Sequence, residues 1–287
     1  MTDYKIIAAM LALGLVSASP LAAQSTTPAQ QRAAIASEIV SVLSPDGRTV
    51  DMLVVAPSQP HGVVLFSHGG NSAPAATSGV FAHLAAEGFA VVAPIHTDSS
   101  SLPVERRTGL QEAFPTRTVD MRVAAGYAAQ RFAGLPQGAV GYSYGALSAL
   151  VAGGALSPVV PGKIDGLKAV VMFSSPGPIP GLSDMPGALS QATVPLLMVT
   201  GTADTVPGFV TDARQHQVYF DGVPVGDATL LVVKDATHGF LRGNEAGMDE
   251  IASLALDFLR ARLLGDEAAA KRFAAAKSNA RVEFRRK

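Results

Sequence analysis

GAVGYSYG, at residues 138–145, is the stretch of sequence from which the fold can be worked out. A short apolar run leads into the pattern G-x-S-x-G, and a helical pattern begins immediately after it. Such a serine is typical of a sharp strand-to-helix turn, in which the positions two before and two after it must be very small because the chain folds back on itself. The pattern alone is a weak signal, and the strand before it and the helix after it make it specific.

Similar apolar runs recur along the chain and alternate with helical patterns. The clearest of these runs are GVVLFS at 62–67, GFAVVAP at 88–94, LKAVVMF at 167–173, VPLLMVT at 194–200 and ATLLVV at 228–233. The runs are continuous rather than alternating, which is typical of strands covered on both faces of a parallel sheet. Strands that alternate with helices in this way predict an open α/β sheet in one domain.

Two earlier runs, at 39–43 and 50–55, flank the tetrapeptide Ser-Pro-Asp-Gly. Asp-Gly is a turn signal, so these runs predict an antiparallel hairpin before the parallel strands. We therefore expect a mostly parallel central sheet of roughly eight strands, with an N-terminal antiparallel hairpin and helices on both faces.

Ser143 and a glycine-rich turn are the first candidates for function, because ligands bind beyond the carboxyl ends of strands in open α/β sheets. The helix start behind Ser143 supplies backbone donors and a positive dipole end for an oxyanion. The glycine-rich turn SHGGN at 67–71 can aim a second N–H at the same space. We predict the N–H groups of Gly70 and Tyr144 as an oxyanion hole, with Asn71 as the alternative to Gly70.

A carboxylate and an imidazole follow two later strands. Asp204 comes just after the run at 194–200, where it can orient an imidazole and stabilise its charged form. His238 lies in the loop after the run at 228–233, from which it can reach Ser143. These three side chains are the residue types that acyl transfer by a serine nucleophile requires.

Three other side chains compete for these roles. Asp235 is the alternative acid. His68 could act as a base, although we favour a bracing role in its loop. His216 lies in a polar stretch with a helical pattern, which makes it a poor candidate for the base.

The order Ser143, Asp204, His238 along the chain is the order found in α/β-hydrolases. From roughly Val40 to Leu264, the sequence resembles the α/β-hydrolases of the dienelactone-hydrolase-like and platelet-activating-factor-acetylhydrolase-like group. The resemblance is carried by VVLFSHGG at 63–70, LAAEGFAVVAP at 84–94, the segment with Arg117, Asp120 and Arg122, GYSYG at 141–145, GTADTVP at 201–207, DATHGF at 235–240 and the tail LRARLLGDEAAAKRF at 259–273.

The resemblance implies an α/β-hydrolase fold and a serine esterase, with Ser143, His238 and Asp204 as the catalytic residues and Gly70 and Tyr144 as the oxyanion hole. Such a mechanism uses no metal and no organic cofactor. Dienelactone hydrolases use a cysteine nucleophile, and this chain has no cysteine, so their substrate is not carried over. An amidase or peptidase with the same residues, and a non-catalytic binding protein of the same fold, remain open as alternatives.

Composition excludes several other classes of protein. The 287 residues include 22 basic and 23 acidic side chains, for a formal net charge of −1, whereas a nucleic-acid-binding protein needs a strong basic excess. The lack of cysteine excludes disulfides, cysteine-ligated zinc, iron–sulfur clusters and a thiol nucleophile. The resemblance, rather than the composition, implies a small-molecule ester as the partner, and the sequence does not determine the oligomeric state.

The N-terminus predicts export, to a periplasm or to the medium. An apolar run from Ile6 to Val16 has the length of a signal-peptide core and is too short to span a bilayer. We expect cleavage after Ala23, with Ala18 as the alternative, and no membrane span afterwards. An uncleaved anchor and a buried N-terminal helix are the competing interpretations.

The chain is accordingly predicted to have four parts. They are a signal peptide at 1–23, an N-terminal extension at 24–37, an α/β-hydrolase domain at 38–265 and a basic C-terminal helix or tail at 266–287.

Overall fold

The computed structural model describes residues 35–242 and 245–287. The predicted signal peptide, and the extension up to residue 34, lie outside the described residues. None of the helices in the described part of the chain is long and apolar enough to cross a membrane.

A nine-stranded sheet forms the centre of the described chain, in the order β1-β2-β4-β3-β5-β6-β7-β8-β9. The strands are β1 (Ala36–Leu43), β2 (Thr49–Ala56), β3 (Gly62–Ser67), β4 (Phe89–Pro94), β5 (Gln137–Tyr142), β6 (Val170–Phe173), β7 (Leu196–Ala203), β8 (Ala228–Thr237) and β9 (Val282–Arg286). Neighbours are parallel from β4 to β8 in this order. The pairs β1–β2, β2–β4 and β8–β9 are antiparallel. The predicted α/β class, the mostly parallel sheet and the hairpin are confirmed.

Helices cover both faces of this sheet. They are α1 (Ser78–Ala86), α2 (Leu110–Arg131), α3 (Tyr144–Ala152), α4 (Val218–Gly222), α5 (Met248–Leu264) and α6 (Glu267–Ala275). Successive strand residues point to opposite faces, so β3 sends Val63 and Leu65 into one apolar core and Val64 and Phe66 into the other. Helices α2 and α3 pack on the first face, and α1 and α5 on the second. The continuous apolar run of β3 therefore reflects burial on both sides.

The C-terminal segment 266–287 differs from the helix or tail that we predicted. Helix α6 is present, but the chain then returns as β9 and adds a ninth strand to the sheet. Val282 and Phe284 alternate inward to the core, and Arg285 lies with its guanidinium 5.1 Å from the ring centroid of Phe220. This alternation could not be recognised in the sequence, because the strand has only five residues and carries basic side chains.

Candidate active site

The turn between β5 and α3 holds Ser143 in an unfavourable backbone conformation. Its φ and ψ are 54° and −122°, in a region that non-glycine residues rarely adopt. The glycines on either side make the turn possible, because a Cβ at Gly141 would collide with the carbonyl oxygen of Gly145, and one at Gly145 with that of Ser67. Such strain is kept where the surrounding structure enforces it, and it presents the half-buried Ser143 at the carboxyl end of the sheet.

Ser143, His238 and Asp204 form a hydrogen-bonded series at this edge. The Oγ of Ser143 lies 3.0 Å from Nε2 of His238, and Nδ1 of His238 lies 2.7 Å from Oδ1 of Asp204. A carboxylate only accepts, so Nδ1 carries the hydrogen and Nε2 is free to accept the hydroxyl proton of Ser143. The His238 side chain is 21% exposed, whereas that of Asp204 is fully buried. The structure thus brings together the three side chains that the sequence singled out.

The Asp204 carboxylate is kept ionised by its neighbours. Burial alone would raise the pKa of Asp204, but hydrogen bonds from His216 and His238 outweigh burial and hold that pKa well below its usual range. The hydroxyl of Thr200 also donates to Oδ2, over 2.9 Å. An ionised carboxylate in this position stabilises positive charge on the His238 ring.

His216 is a site residue that sequence reasoning missed. It is fully buried, and its Nε2 lies 3.0 Å from both the carbonyl oxygen and Oδ1 of Asp204. Its ring stacks on that of His238, with centroids 5.9 Å apart. The polar, helical pattern was correct, since His216 lies in a short 3₁₀ helix at Ala213–Gln217. The pattern gave no sign that this one side chain turns inward.

Asp204, His216 and His238 also offer donor atoms within 4.8 Å of one another, a set whose chemistry would suit a metal ion. The nitrogen atoms that face Asp204 carry the hydrogens that bind it. A cation would therefore have to displace both of those hydrogens before it could be coordinated.

The glycine-rich turn after β3 lies directly beside the Ser143 turn. A Cβ at Gly69 would be 3.5 Å from Cβ of Ser143, and one at Gly70 would be 3.5 Å from Cβ of Tyr144 and 2.8 Å from Cδ2 of Leu110. Within the described chain, no acceptor takes the Gly70 N–H. The Tyr144 N–H is the first of helix α3, where amides lack intrahelical acceptors and the dipole is positive. Gly70 and Tyr144, the residues chosen from the sequence for the two donors, thus lie side by side next to Ser143.

Two of the alternatives to these residues are engaged elsewhere, and the third is exposed. The Asn71 N–H donates to Oδ2 of Asp98, over 2.9 Å. His68 is buried, its Nδ1 donates to the carbonyl of Gly69, and its Nε2 accepts the N–H of His96. Main-chain partners therefore occupy both ring nitrogens of His68, which corresponds to bracing the loop. The remaining alternative, Asp235, is exposed.

Tyr142 holds the loop that carries His238. Its hydroxyl donates to the carbonyl oxygen of His238 over 2.5 Å, and the two rings lie with centroids 5.3 Å apart. This contact joins the strand before Ser143 to the loop after β8. Sequence spacing carries no signal for it, because 96 residues separate the partners.

Comparison with family models and with curated proteins assigns this chain to no family. No protein-family model matches this chain, and a search of curated proteins finds no significant relative.

Proposed function

We propose that this protein is an exported serine hydrolase of the α/β-hydrolase fold that cleaves carboxylic esters of short to medium size. The proposal is carried by one observation, the series from Ser143 Oγ through the His238 ring to buried Asp204, with a serine in a strained strand-to-helix turn. The mostly parallel sheet and the chain order of the three residues support it.

In the first step, Ser143 attacks the ester carbonyl as its hydroxyl proton moves to Nε2 of His238. The carbonyl oxygen takes the negative charge between the N–H groups of Gly70 and Tyr144. Asp204 fixes the ring tautomer and stabilises the imidazolium. The ester C–O bond then breaks, the leaving alcohol takes the proton from His238, and an acyl group stays on Ser143.

In the second step, water repeats this sequence of proton transfers. His238 takes a proton from the water as its oxygen attacks the acyl carbonyl, and the same two N–H groups hold the oxyanion. The bond to Ser143 breaks, Ser143 regains its proton from His238, and the carboxylic acid leaves. No cofactor is required for either step.

We infer the substrate size from the connections that border the site. Residues 95–109 and 174–195 contain no α-helix, so neither supplies a helical cap over Ser143. A site without a helical cap suits small and medium esters. It offers little to select a peptide, which is why we prefer an esterase to an amidase or peptidase.

Hydrolysis of a p-nitrophenyl ester series, from acetate to laurate, tests the proposal. We expect the wild type to turn over the shorter members and Ser143→Ala to lose this activity, with His238→Ala nearly as damaged. A matched p-nitroanilide should react far more slowly than the ester. Wild-type activity no greater than that of Ser143→Ala on every ester and anilide would refute the hydrolase and favour a binding protein.

Export is tested separately by mass spectrometry of the mature protein. A chain that begins at Gln24 supports a cleaved signal peptide and release. An intact Met1 would instead indicate the uncleaved anchor.

A further inference from the structure

We infer that Arg117 is a positioning residue that aims the Gly70 N–H at the oxyanion, by holding the carbonyl group of the same peptide unit. The inference rests on the proposed function, which assigns that N–H to the oxyanion hole. It concerns a side chain whose hydrogen bonds to described residues include none to Ser143 or His238.

The carbonyl oxygen of Gly69 accepts three hydrogen bonds, one from the N–H of Ser72 over 3.3 Å and two from buried side chains. Nη2 of Arg117 donates to it over 3.1 Å, and Nδ1 of His68 donates over 2.8 Å. Both of these side chains are buried. Removing either one would therefore leave the carbonyl without that hydrogen bond, at a cost in free energy. These hydrogen bonds together fix the direction of this C=O bond.

The direction of the Gly70 N–H follows from that of the Gly69 carbonyl. The two groups belong to one planar peptide unit, and in a trans peptide the C=O and N–H bonds point in opposite directions. A carbonyl drawn toward Arg117 and His68 thus turns the N–H of Gly70 away from them. This peptide unit could otherwise rotate, because the glycines on both sides of it have no Cβ to restrict their backbone angles.

Arg117 itself has little freedom to move. Its Nε and Nη2 donate to the two oxygens of Asp98, over 3.0 and 2.8 Å, and its Nη1 donates to the carbonyl of His68 over 2.8 Å. The guanidinium also lies 4.8 Å from the ring centroid of Tyr144, whose N–H is the other oxyanion donor. One fully buried, planar group thus contacts the Gly69 carbonyl and the Tyr144 ring, next to the two predicted oxyanion donors.

Asp98 extends this control to the far side of Gly70. Its Oδ2 accepts the N–H of Asn71, which has a φ of 52° in the left-handed region. The peptide before Gly70 and the residue after it are therefore both anchored to the Arg117–Asp98 pair. A loop with this conformation persists only where its surroundings enforce it.

Arg117→Lys tests the inference, because lysine keeps the positive charge beside Asp98 but lacks the planar fork that reaches Asp98, His68 and Gly69 together. We expect kcat for a p-nitrophenyl ester to fall about 100-fold, with KM changed less than about 3-fold, since an oxyanion donor acts mainly in the transition state. Arg122→Lys is the matched control, because Arg122 is exposed on the same helix and should leave kcat unchanged.

A thionoester separates aiming from a general loss of structure. Phenyl acetate and O-phenyl thioacetate differ only in the carbonyl oxygen, and sulfur fits an oxyanion hole poorly. In the wild type the oxygen ester should react much faster, and in Arg117→Lys this ratio should fall about tenfold or more. A variant that lost kcat but kept the wild-type ratio would overturn the inference, as would one that kept full kcat.

The ¹⁵N–¹H resonance of the Gly70 amide provides a test that needs no turnover. It should shift and broaden in Arg117→Lys and stay unchanged in Arg122→Lys. An unshifted, sharp Gly70 resonance in Arg117→Lys would refute the inference even if the esterase proposal held. A shift in Arg117→Lys, found together with a wild type that has no esterase activity, would support the positioning of the Gly70 N–H while the proposed function failed.

Discussion

His216 and His238 approach the same carboxylate oxygen of Asp204. Nε2 of His216 lies 3.0 Å from Oδ1, and Nδ1 of His238 lies 2.7 Å from it. The proposed mechanism needs only one of these rings. The second ring, that of His216, is fully buried. Together with the hydroxyl of Thr200 it holds the Asp204 carboxylate in place.

We predict that His216→Leu lowers kcat/KM for a p-nitrophenyl ester about tenfold. The change removes a donor from a buried charged group, and such hydrogen bonds contribute about 1.5–3 kcal/mol. His216→Gln places an N–H near the position of Nε2 and should recover most of the activity. His83→Leu, at an exposed histidine of α1, serves as the control. Full activity in His216→Leu would show that Asp204 needs no second imidazole.

Tyr142→Phe should reduce the free energy of unfolding by about 1 kcal/mol, because it deletes the hydrogen bond to the His238 carbonyl without changing the ring. We also expect a several-fold loss of kcat/KM, since the loop that carries His238 becomes less well held. Urea unfolding and ester kinetics on the same preparation measure the two effects. If both values matched the wild type, Tyr142 would have no role in placing His238.

Gly145→Ala should destabilise the fold by about 3 kcal/mol, because the new Cβ meets the carbonyl oxygens of Ser67 and His68, which are main-chain atoms and cannot turn aside. Gly126→Ala is the contrasting case. Gly126 lies within α2 with open space around its Cβ position, so alanine there should stabilise the protein by roughly 0.5–1 kcal/mol. Thermal unfolding measures whether stability falls in Gly145→Ala and rises in Gly126→Ala. Equal changes in stability would contradict the close approach of main-chain atoms at Gly145.

Stability should fall as the pH is lowered below about 6.5. Burial first, and then the positive charge of Arg117 and other neighbours, hold the pKa values of His68 and His96 well below the usual 6.5. The unfolded chain therefore takes up protons that the native chain does not. Each imidazole should cost about 1.4 kcal/mol of unfolding free energy per pH unit.

Asp120 opposes this trend at lower pH. Burial raises its pKa to about 6, so the native chain gains one proton below that value, before the unfolded chain does. Urea unfolding at pH 7, 6 and 5 measures the sum. His68→Asn removes one of the two imidazoles and should flatten the slope below pH 6.5 by about 1.4 kcal/mol per unit. An unchanged slope would mean that His68 does not stay neutral in the native protein.

The parts of the molecule that the sequence predicted are those with a local pattern. Strands such as β3 have continuous apolar runs, and Ser143 lies between glycines that only a tight turn requires. Asp204 and His238 could be chosen because they directly follow strands, where a parallel sheet gathers its loops.

The parts that the sequence did not predict depend on contacts between distant segments. Arg117 lies in the middle of a helix, yet it contacts a loop 48 residues earlier in the chain. His216 belongs to a polar turn whose inward face only the neighbouring loops determine. Strand β9 is short and basic, and its pairing with β8 outweighs its weak local preference. Composition and periodicity do not indicate contacts between segments that are far apart in the chain.

The separation of Ser143 and His238 has a consequence for when this chain becomes reactive. The two side chains are 95 residues apart, and strands β6 and β7 lie between β5 and β8 in the sheet. A chain paired only as far as β5 contains a serine no more nucleophilic than any other hydroxyl. Under the proposed mechanism, activity therefore requires completion of the sheet, and an incompletely folded chain is inactive.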